Sequence, residues 1–210
     1  MSGKRIFGAI LIFIGAAMLC GSGCLLWYND REDQTALQSV NEKIPIVRAE
    51  IEKRKTDSAS LNPEVIDTRI QEMITGETEE ASPTVEIDGN RYIGILSLPE
   101  KGYETPIFSD WDMQKLKLSP CRYAGSPATH DFVVAGHNYK SSFGKLHSVS
   151  VGESISFTDM DGKIYNYTVG EIEILNPTDV PQMIESNWDL SLYTCTYGGK
   201  QRLTVRCRET

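Results

Sequence analysis

The sequence is short of positive charge and of histidine. Its 210 residues carry 21 lysines and arginines against 29 aspartates and glutamates, a formal net charge of -8. Because binding to phosphates requires a basic face, this balance argues against a nucleic-acid partner. The sequence has three histidines, His130, His137 and His147, and shows no internal repeat. A histidine that assists a nucleophile must therefore come from a short set of candidates.

Charge is absent from residues 6–28. A helix of this length is about enough to cross a hydrocarbon core of roughly 30 Å. Lys4 and Arg5 precede the run and acidic residues follow it, which predicts a cytoplasmic N-terminus and an external body. No A-x-A cleavage site follows, and a glycine stands where a lipobox would place leucine ahead of Cys24. We therefore expect an uncleaved, single-pass membrane anchor over residues 1–28, rather than a signal peptide or a lipid-modified Cys24.

Residues 29–83 are polar and predict a spacer that is partly helical. Apolar residues recur there at spacings of three and four, as in an amphipathic helix: Leu37, Val40, Ile44, Val47 and Ile51. The helix could pair with another chain or form a stalk, but a frayed spacer, kinked or restarted at Pro45, is the favoured interpretation. From Thr56 to Pro83 the sequence becomes acidic and weakly apolar, which predicts a flexible linker.

Long helical patterns are missing from residues 84–210, which we expect to form the folded domain. This part consists of short strand-like runs separated by turn residues: YIGILSL (92–98), FVVAGH (132–137), SISF (154–157), KIYNYTV (163–169), EIEIL (171–175), LSLYTC (190–195) and RLTVRC (202–207). Helical candidates are short, around residues 141–147 and 180–185. The pattern predicts a mostly β domain, a barrel or a sandwich, with short helices.

The last two runs predict an antiparallel hairpin. The TYGGKQ loop between them contains Gly198 and Gly199, whose conformational freedom suits such a turn. If the loop closes symmetrically, Cys195 lies opposite Arg202. One face of the hairpin is then almost wholly apolar: Leu190, Leu192, Thr194, Leu203, Val205 and Cys207. The other face holds Ser191, Tyr193, Cys195, Arg202, Thr204 and Arg206.

This register favours Cys195 as a nucleophile over Cys195 as a buried structural thiol. The residue lies on the polar face, at the mouth of the hairpin, where a thiolate is accessible. The guanidinium of Arg202, directly across the ladder, would stabilise that thiolate. Arg206 and Arg208 lie further along the strand, and we expect them to be solvated charges.

His137 is the candidate partner of the cysteine. It ends the apolar run FVVAGH, and a rigid strand that ends at a rim is a common position for catalytic groups. His130 follows SPAT in a polar loop, and His147 lies in a predicted short helix. We expect these two histidines to be surface or structural residues.

Three motifs in order resemble the sortases, the transpeptidases of Gram-positive cell surfaces. LSLYTC is similar to the TLxTC signature of that family, with Ser191 in place of the first threonine. VVAGHN resembles the family's histidine segment, and TCTYGGKQRLTVR resembles its cysteine-to-arginine segment. The order His137, Cys195, Arg202 and the N-terminal anchor also fit, and the resemblance covers roughly residues 90–208.

The resemblance implies a closed eight-stranded β-barrel and a thioester mechanism. Cys195 would attack the carbonyl of an LPxTG-like sorting signal, and His137 would protonate the departing amine and later deprotonate the incoming one. Arg202 would bind the substrate backbone or stabilise the oxyanion, and Thr194 and Ser191 of the signature would contact the substrate. Some sortases bind calcium, but nothing in this sequence identifies such a site, and we predict neither a cofactor nor metal ligands.

The same resemblance names partners for the enzyme. The donors would be surface proteins that bear a C-terminal sorting signal, and the acceptor would be an amine on a cell-wall precursor or a pilin. Pilus-assembling sortases usually add a lid segment and a second membrane span. The sequence shows no second apolar span before Thr210, and DWD at residues 110–112 is only loosely similar to a lid motif. We therefore do not expect a lidded polymerase.

Several alternatives stay open on the sequence alone. A membrane-anchored cysteine peptidase would hydrolyse the same intermediate, and a non-catalytic surface binding module would leave Cys195 inert. FTDMDGKIY (157–165) is loosely similar to a calcium loop, but Gly170 stands where the loop would need glutamate, so a hairpin turn at 161–162 is favoured. A disulfide between Cys121 and Cys207 is also open, because an external domain permits one.

Overall fold

A computed structural model of the chain describes residues 3–59 and 83–210. The first element is a single α-helix, α1, over Gly3–Ala59. The helix continues through Pro45, where the sequence predicted a kink or a second helix. Most of the predicted linker from Thr56 to Pro83 lies outside the described residues.

The first half of α1 is exposed and apolar. Among the described residues, α1 is the one helix long and apolar enough to cross a membrane. An 18-residue segment of it has a mean hydropathy of 2.3, and none of that segment is buried. Apolar side chains such as Phe13, Leu19 and Trp27 are 63–78% exposed. Such a surface is stable where lipid surrounds it.

The second half of α1 packs on the folded domain, where the sequence predicted a frayed spacer. Val47 and Ile51 are buried in a cluster with Tyr92, Ile95 and Phe108. Burying aliphatic side chains of this size contributes about 1.5–3 kcal/mol each. The ion pair between Lys43 and Asp88 at 2.6 Å is largely exposed on the aspartate side and contributes about 0–1 kcal/mol. The docking of α1 therefore depends mainly on apolar packing.

In the described part of the chain, nine strands form one sheet. They are β1 Val85–Ile87, β2 Asn90–Leu98, β3 Tyr103–Phe108, β4 Cys121–Ala124, β5 Phe132–Ala135, β6 Ser154–Asp159, β7 Ile164–Leu175, β8 Leu190–Cys195 and β9 Arg202–Glu209. The connections contain 3-10 turns at Pro99–Lys101, Lys115–Lys117 and Phe143–Ser148, and a short helix α2 at Val180–Ile184.

The sheet closes on itself. From β2 the strand order is β3, β4, β5, β8, β9, β7 and β6, and β6 pairs back onto β2. The short β1 pairs only with the first residues of β2 and stands outside this ring. Strand pairs β3–β4 and β5–β8 are parallel and the others are antiparallel. The predicted closed eight-stranded β-barrel with short helices is confirmed.

The barrel interior is filled by side chains of alternate strand positions, including Leu96, Phe132, Phe157 and Leu192, each 0% exposed. Two of the predicted strands, 163–169 and 171–175, are one strand, β7. Its ladder is interrupted at Gly170, where a Cβ would lie 2.6 Å from the indole of Trp188. The bulge interrupts the alternation of apolar and polar residues, so the sequence pattern shows two strands where the structure has one.

β1 and β4 were absent from the predicted strands because they are too short to show a clear period-two pattern. They have three and four residues. FTDMDGKIY forms the β6–β7 hairpin turn, in which Asp159 Oδ1 accepts hydrogen bonds from the backbone N–H groups of Asp161 and Lys163. Here the turn prediction is confirmed.

Cys121 and Cys207 do not form a disulfide. Both thiols are free and 0% exposed. They belong to separate apolar clusters, one beneath α1 and one inside the barrel. Burial raises the pKa of each thiol to about 12, so both are protonated, unreactive groups at neutral pH.

Candidate active site

The β8–β9 hairpin has the register that the sequence predicted. Cys195 pairs with Arg202 and Leu190 pairs with Cys207. The apolar face is buried in the barrel, where Leu192 and Val205 are each 0% exposed. Cys195 lies on the opposite face at the end of β8 and is half-buried. The thiol therefore stands at the barrel rim, outside the packed interior.

Part of the other hairpin face is also buried, contrary to the expectation for Arg206. Arg206 is 2% exposed. Its Nε donates to Glu173 Oε1 at 2.7 Å, and its guanidinium also donates to the backbone carbonyls of Gln182 and Met183. The short helix α2 covers this face, so Arg206 holds α2 to the sheet. The other predicted solvated charge, Arg208, is half exposed.

The structure places the two predicted substrate hydroxyls inside the protein. Ser191 Oγ accepts a hydrogen bond from Arg206 at 2.7 Å, and Thr194 Oγ1 donates to the carbonyl of Gly136 at 2.8 Å. Each residue is 1% exposed. Neither side chain offers accessible surface to a substrate in this structure. Thr194 instead ties the cysteine strand to the segment that carries His137.

His137 and Cys195 occupy neighbouring positions at the rim. β5 and β8 are parallel, with Ala135 paired to Tyr193. The N–H of Gly136 continues the ladder by donating to the Tyr193 carbonyl at 3.0 Å. Two positions further on are His137, just beyond the end of β5, and Cys195, the last residue of β8. Paired strands lie about 4.8 Å apart. Both line one cleft of about 580 Å³.

The imidazole of His137 is held by an aromatic neighbour. Its ring stacks on Tyr139, with centroids 4.8 Å apart. Its Nε2 is buried and has no hydrogen-bond partner among the described residues. Burial lowers the pKa of His137; Glu32 opposes this shift and Lys117 adds to it. A neutral imidazole with a free nitrogen can accept a proton from a reacting group.

Arg202 lies opposite Cys195 in the backbone, but its side chain turns to the loop. Its Nη1 donates to the carbonyls of Gly199 and Gln201 at 3.4 and 3.2 Å. Both are weak contacts that a substrate could replace. Along the rim, the order is His137 just after β5, Cys195 at the end of β8 and Arg202 at the start of β9. The sequence therefore identified three residues that the barrel brings together.

The remaining histidines differ in their distance from this site. His130 is on the surface, 2.9 Å from Glu209. His147 is half-buried, and its Nε2 lies 3.4 Å from the carbonyl oxygen of Cys195 while its ring stacks on Tyr197. The sequence predicted a surface or structural role for His147 without placing it beside the cysteine, because the contact joins residues far apart in the chain.

A thiol between a histidine and an arginine at a barrel rim can perform acyl transfer. The Sortase domain family model matches residues 96–210, more than half of the chain. The chain belongs to the sortase family. Sortases are transpeptidases that act on sorting signals, and this activity applies to the chain through its family.

Solved sortases share the fold of this chain. A Clostridium perfringens sortase D5 transpeptidase has 17% identity and a TM-score of 0.56, and the match covers 84% of this chain and 99% of that one. Sortase C1 of Streptococcus agalactiae has 22% identity and a TM-score of 0.58, with coverage of 78% and 98%. A C. perfringens sortase C solved with the C-terminal cell wall sorting motif has 20% identity and a TM-score of 0.55, with coverage of 76% and 97%. No curated protein sequence matches the chain.

Sequence reasoning missed one wall of the sortase cleft. The cleft that holds His137 and Cys195 is closed on one side by residues of α1: Leu26, Asn29, Asp30 and Asp33. The acidic residues after the apolar run were interpreted only as a signal of membrane orientation. Nothing in their local pattern indicates a contact with a histidine loop more than a hundred residues away.

A second groove lies on the Arg202 side and is aromatic. It has a volume of about 310 Å³, and its lining includes Trp111, Tyr123, Tyr193 and Arg202. Tyr123 packs edge-on against both other rings, with centroids 6.1 Å from Trp111 and 5.4 Å from Tyr193. Trp111 belongs to the DWD motif, so the sequence did single out one residue of this groove, though for a different reason.

Proposed function

We propose that this sortase is a membrane-anchored cysteine transpeptidase in which Cys195 is the nucleophile, His137 the proton shuttle and Arg202 the electrostatic stabiliser. The observation that carries the proposal is the order of these residues along one rim: His137 follows β5, Cys195 ends the adjacent β8, and Arg202 begins β9 opposite the cysteine. The donor would be an LPxTG-like sorting signal at the C-terminus of a surface protein.

In the first half-reaction, the thiol proton of Cys195 passes to His137, and the sulfur attacks the carbonyl carbon of the scissile peptide bond. The carbonyl oxygen becomes negative, and the guanidinium of Arg202 would swing from the loop carbonyls to stabilise it. As the C–N bond breaks, His137 gives a proton to the leaving nitrogen. The products are a thioester on Cys195 and a free amine.

In the second half-reaction, an acceptor amine attacks the thioester. The new C–N bond forms, the C–S bond breaks, and the amine proton passes to the neutral imidazole of His137. The lowered pKa of His137 favours this neutral form near pH 7. Transfer to water by the same steps would make the protein a cysteine peptidase, so the acceptor decides between the two reactions.

The groove on the Arg202 side suits the donor peptide. Three aromatic rings line it, and such rings bind apolar and proline side chains over large contact areas. Arg202 at its inner end can reach peptide carbonyls. The solved C. perfringens sortase C carries a C-terminal cell wall sorting motif, which supports a peptide of this class as the substrate.

The apolar start of α1 supports a single-pass anchor. Residues 1–28 would form the cytoplasmic stub and the span, residues 29–83 the spacer, and residues 84–210 the external catalytic barrel. Lys4 and Arg5 ahead of the span favour a cytoplasmic N-terminus. Donor proteins and an amine such as a peptidoglycan precursor would then reach the enzyme at the external face of the cell membrane. The cell of origin would be Gram-positive.

The test is mass spectrometry on the full chain in detergent, mixed with an LPxTG-type peptide with and without triglycinamide. We expect a thioester adduct on Cys195 that the amine converts into a transpeptidated product. Hydrolysis that no amine diverts would favour the peptidase. An inert Cys195 across a panel of related motifs would overturn the proposal in favour of a binding module.

Two cysteine variants make the test specific. Cys195→Ala should lose the adduct completely, because the acyl acceptor atom is gone. Cys24→Ser removes an exposed thiol from α1 and should leave the adduct and the product unchanged. An adduct that survives in Cys195→Ala would show that another thiol reacts and would overturn the assignment of the nucleophile.

A further inference from the structure

The two clefts beside Cys195 differ in what they can bind. The aromatic groove lies on the Arg202 side and the α1 cleft lies on the His137 side. We infer that the α1 cleft is the binding site of the acceptor amine and that Asp30 binds its ammonium group. This inference rests on the proposed function, since it assigns the second substrate of that reaction.

The α1 wall of this cleft is fixed to the segment that follows the catalytic histidine. The backbone N–H of Ser141 donates to Asp33 Oδ1 at 2.9 Å, and Ser141 Oγ donates to the backbone carbonyl of Asp33 at 3.0 Å. The hydroxyl of Tyr139 donates to Glu32 Oε2 at 2.9 Å. These contacts span two consecutive residues of α1, so the cleft has a defined width and Asp30 has a defined position at its edge.

The α1 carboxylates in and beside this cleft are not equivalent. Asp33 accepts hydrogen bonds from Ser141, and Glu32 accepts them from two tyrosines and lies 3.5 Å from Lys117. Asp30 lines the cleft and has no hydrogen bond or ion pair with any residue in the described ranges 7–57 and 83–210. It is therefore the carboxylate left available for a cation that enters from solvent.

The reaction explains why a cation should be held here. An amine acceptor arrives as an ammonium ion at neutral pH, and it must lose a proton before its nitrogen can attack. Asp30 at the cleft edge would attract the ammonium, which gives one proton to solvent before it attacks. As the amide bond forms, the nitrogen loses its second proton to His137, deeper in the cleft, and the sulfur of Cys195 leaves as thiolate. The imidazolium and the thiolate balance the charge of the attack step.

The other cleft cannot serve the acceptor while the thioester exists. In the acyl-enzyme the donor peptide still extends from Cys195, and the aromatic groove beside Arg202 is the surface that accommodates it. Attack must come from the remaining open side of the carbonyl, where His137 stands. The α1 cleft is also lined by a positively charged residue, Lys140, whose side chain is exposed. Removing this charge is a second way to change the electrostatic potential in the cleft.

The experiment measures acylation and transfer separately in the full chain. Release of the donor's C-terminal fragment reports thioester formation, and product formation against triglycinamide concentration reports the acceptor KM. Asp30→Asn should raise the KM for triglycinamide roughly threefold to fivefold, as expected for an exposed charge pair. Thioester formation should keep its rate. Lys140→Gln should change the same KM in the opposite direction.

Hydroxylamine is the matched acceptor, because it is largely uncharged at neutral pH and needs no carboxylate. Its KM should not change in Asp30→Asn. The variant Glu42→Gln removes an exposed α1 carboxylate outside the cleft and should leave both acceptors unaffected. An equal rise in KM for both acceptors would reveal a structural effect and overturn the inference, and so would an unchanged KM for triglycinamide. Absence of thioester formation in the unmodified chain would overturn the proposed function itself.

Discussion

The two sides of Cys195 are built from different parts of the chain. The Arg202 side is formed by the barrel, from residues of β4, β8 and β9 and the segment around α2. The His137 side is complete only because α1 crosses it, through contacts that join residues 107 and 108 positions apart. The donor groove therefore depends on the barrel alone, whereas the acceptor cleft depends on the helix that we propose to be the membrane anchor.

Loss of the His137 imidazole should have the largest effect on activity. His137→Ala removes the proton donor of the first half-reaction and the proton acceptor of the second. We expect kcat/KM for transpeptidation to fall by about 10² to 10⁴-fold, the usual range for a general acid–base. The measurement is the initial rate with a fluorogenic donor peptide and triglycinamide. His130→Ala, which changes a surface histidine, is the control and should retain its rate. A loss below about tenfold for His137→Ala would contradict its role.

The second-largest effect on activity should come from Arg202, on the other side of the thiol. Arg202→Ala should lower kcat/KM for the donor by about 10² to 10³-fold, because the developing oxyanion loses its stabilising charge. Arg202→Lys keeps the charge without the guanidinium fork and should recover part of this loss. The acceptor KM, measured as partition between transfer and hydrolysis, should stay unchanged in both variants. A change in this partition as large as the change in donor rate would show that the two sides are not separate.

The hairpin could be predicted from the sequence because its information is local. Alternation of apolar and polar residues on both strands and a symmetrical loop determine which residues face each other. That was sufficient to place Cys195 opposite Arg202 at the rim. The pairing of β5 with β8, which sets His137 beside the cysteine, is a parallel contact between distant segments. Only the resemblance to sortases indicated it in advance.

The predictions that were wrong concern contacts between residues that are far apart in the sequence. Arg206 alternates with apolar residues just as a solvated strand residue does, yet its partner Glu173 lies on β7 and α2 covers both. No local pattern distinguishes an arginine that faces water from one that faces carbonyls of another segment. The same reason explains why the α1 wall was not predicted. The amphipathic stripe around Val47 and Ile51 was interpreted as a frayed spacer, because nothing in the stripe identifies the surface that buries it.

The smallest effect should come from the electrostatic link between α1 and His137. Glu32→Gln keeps an oxygen that can accept from Tyr139 but removes a charge that raises the pKa of His137. The pKa of His137 should then fall further, so hydrolysis of the preformed thioester, which needs neutral imidazole, should persist to lower pH. Lys117→Gln removes the charge that lowers the same pKa and should shift the profile to higher pH. Rates at any single pH should change by no more than about threefold, because both charges are partly solvated. Shifts in the same direction for the two variants would mean that packing, rather than charge, couples α1 to the histidine.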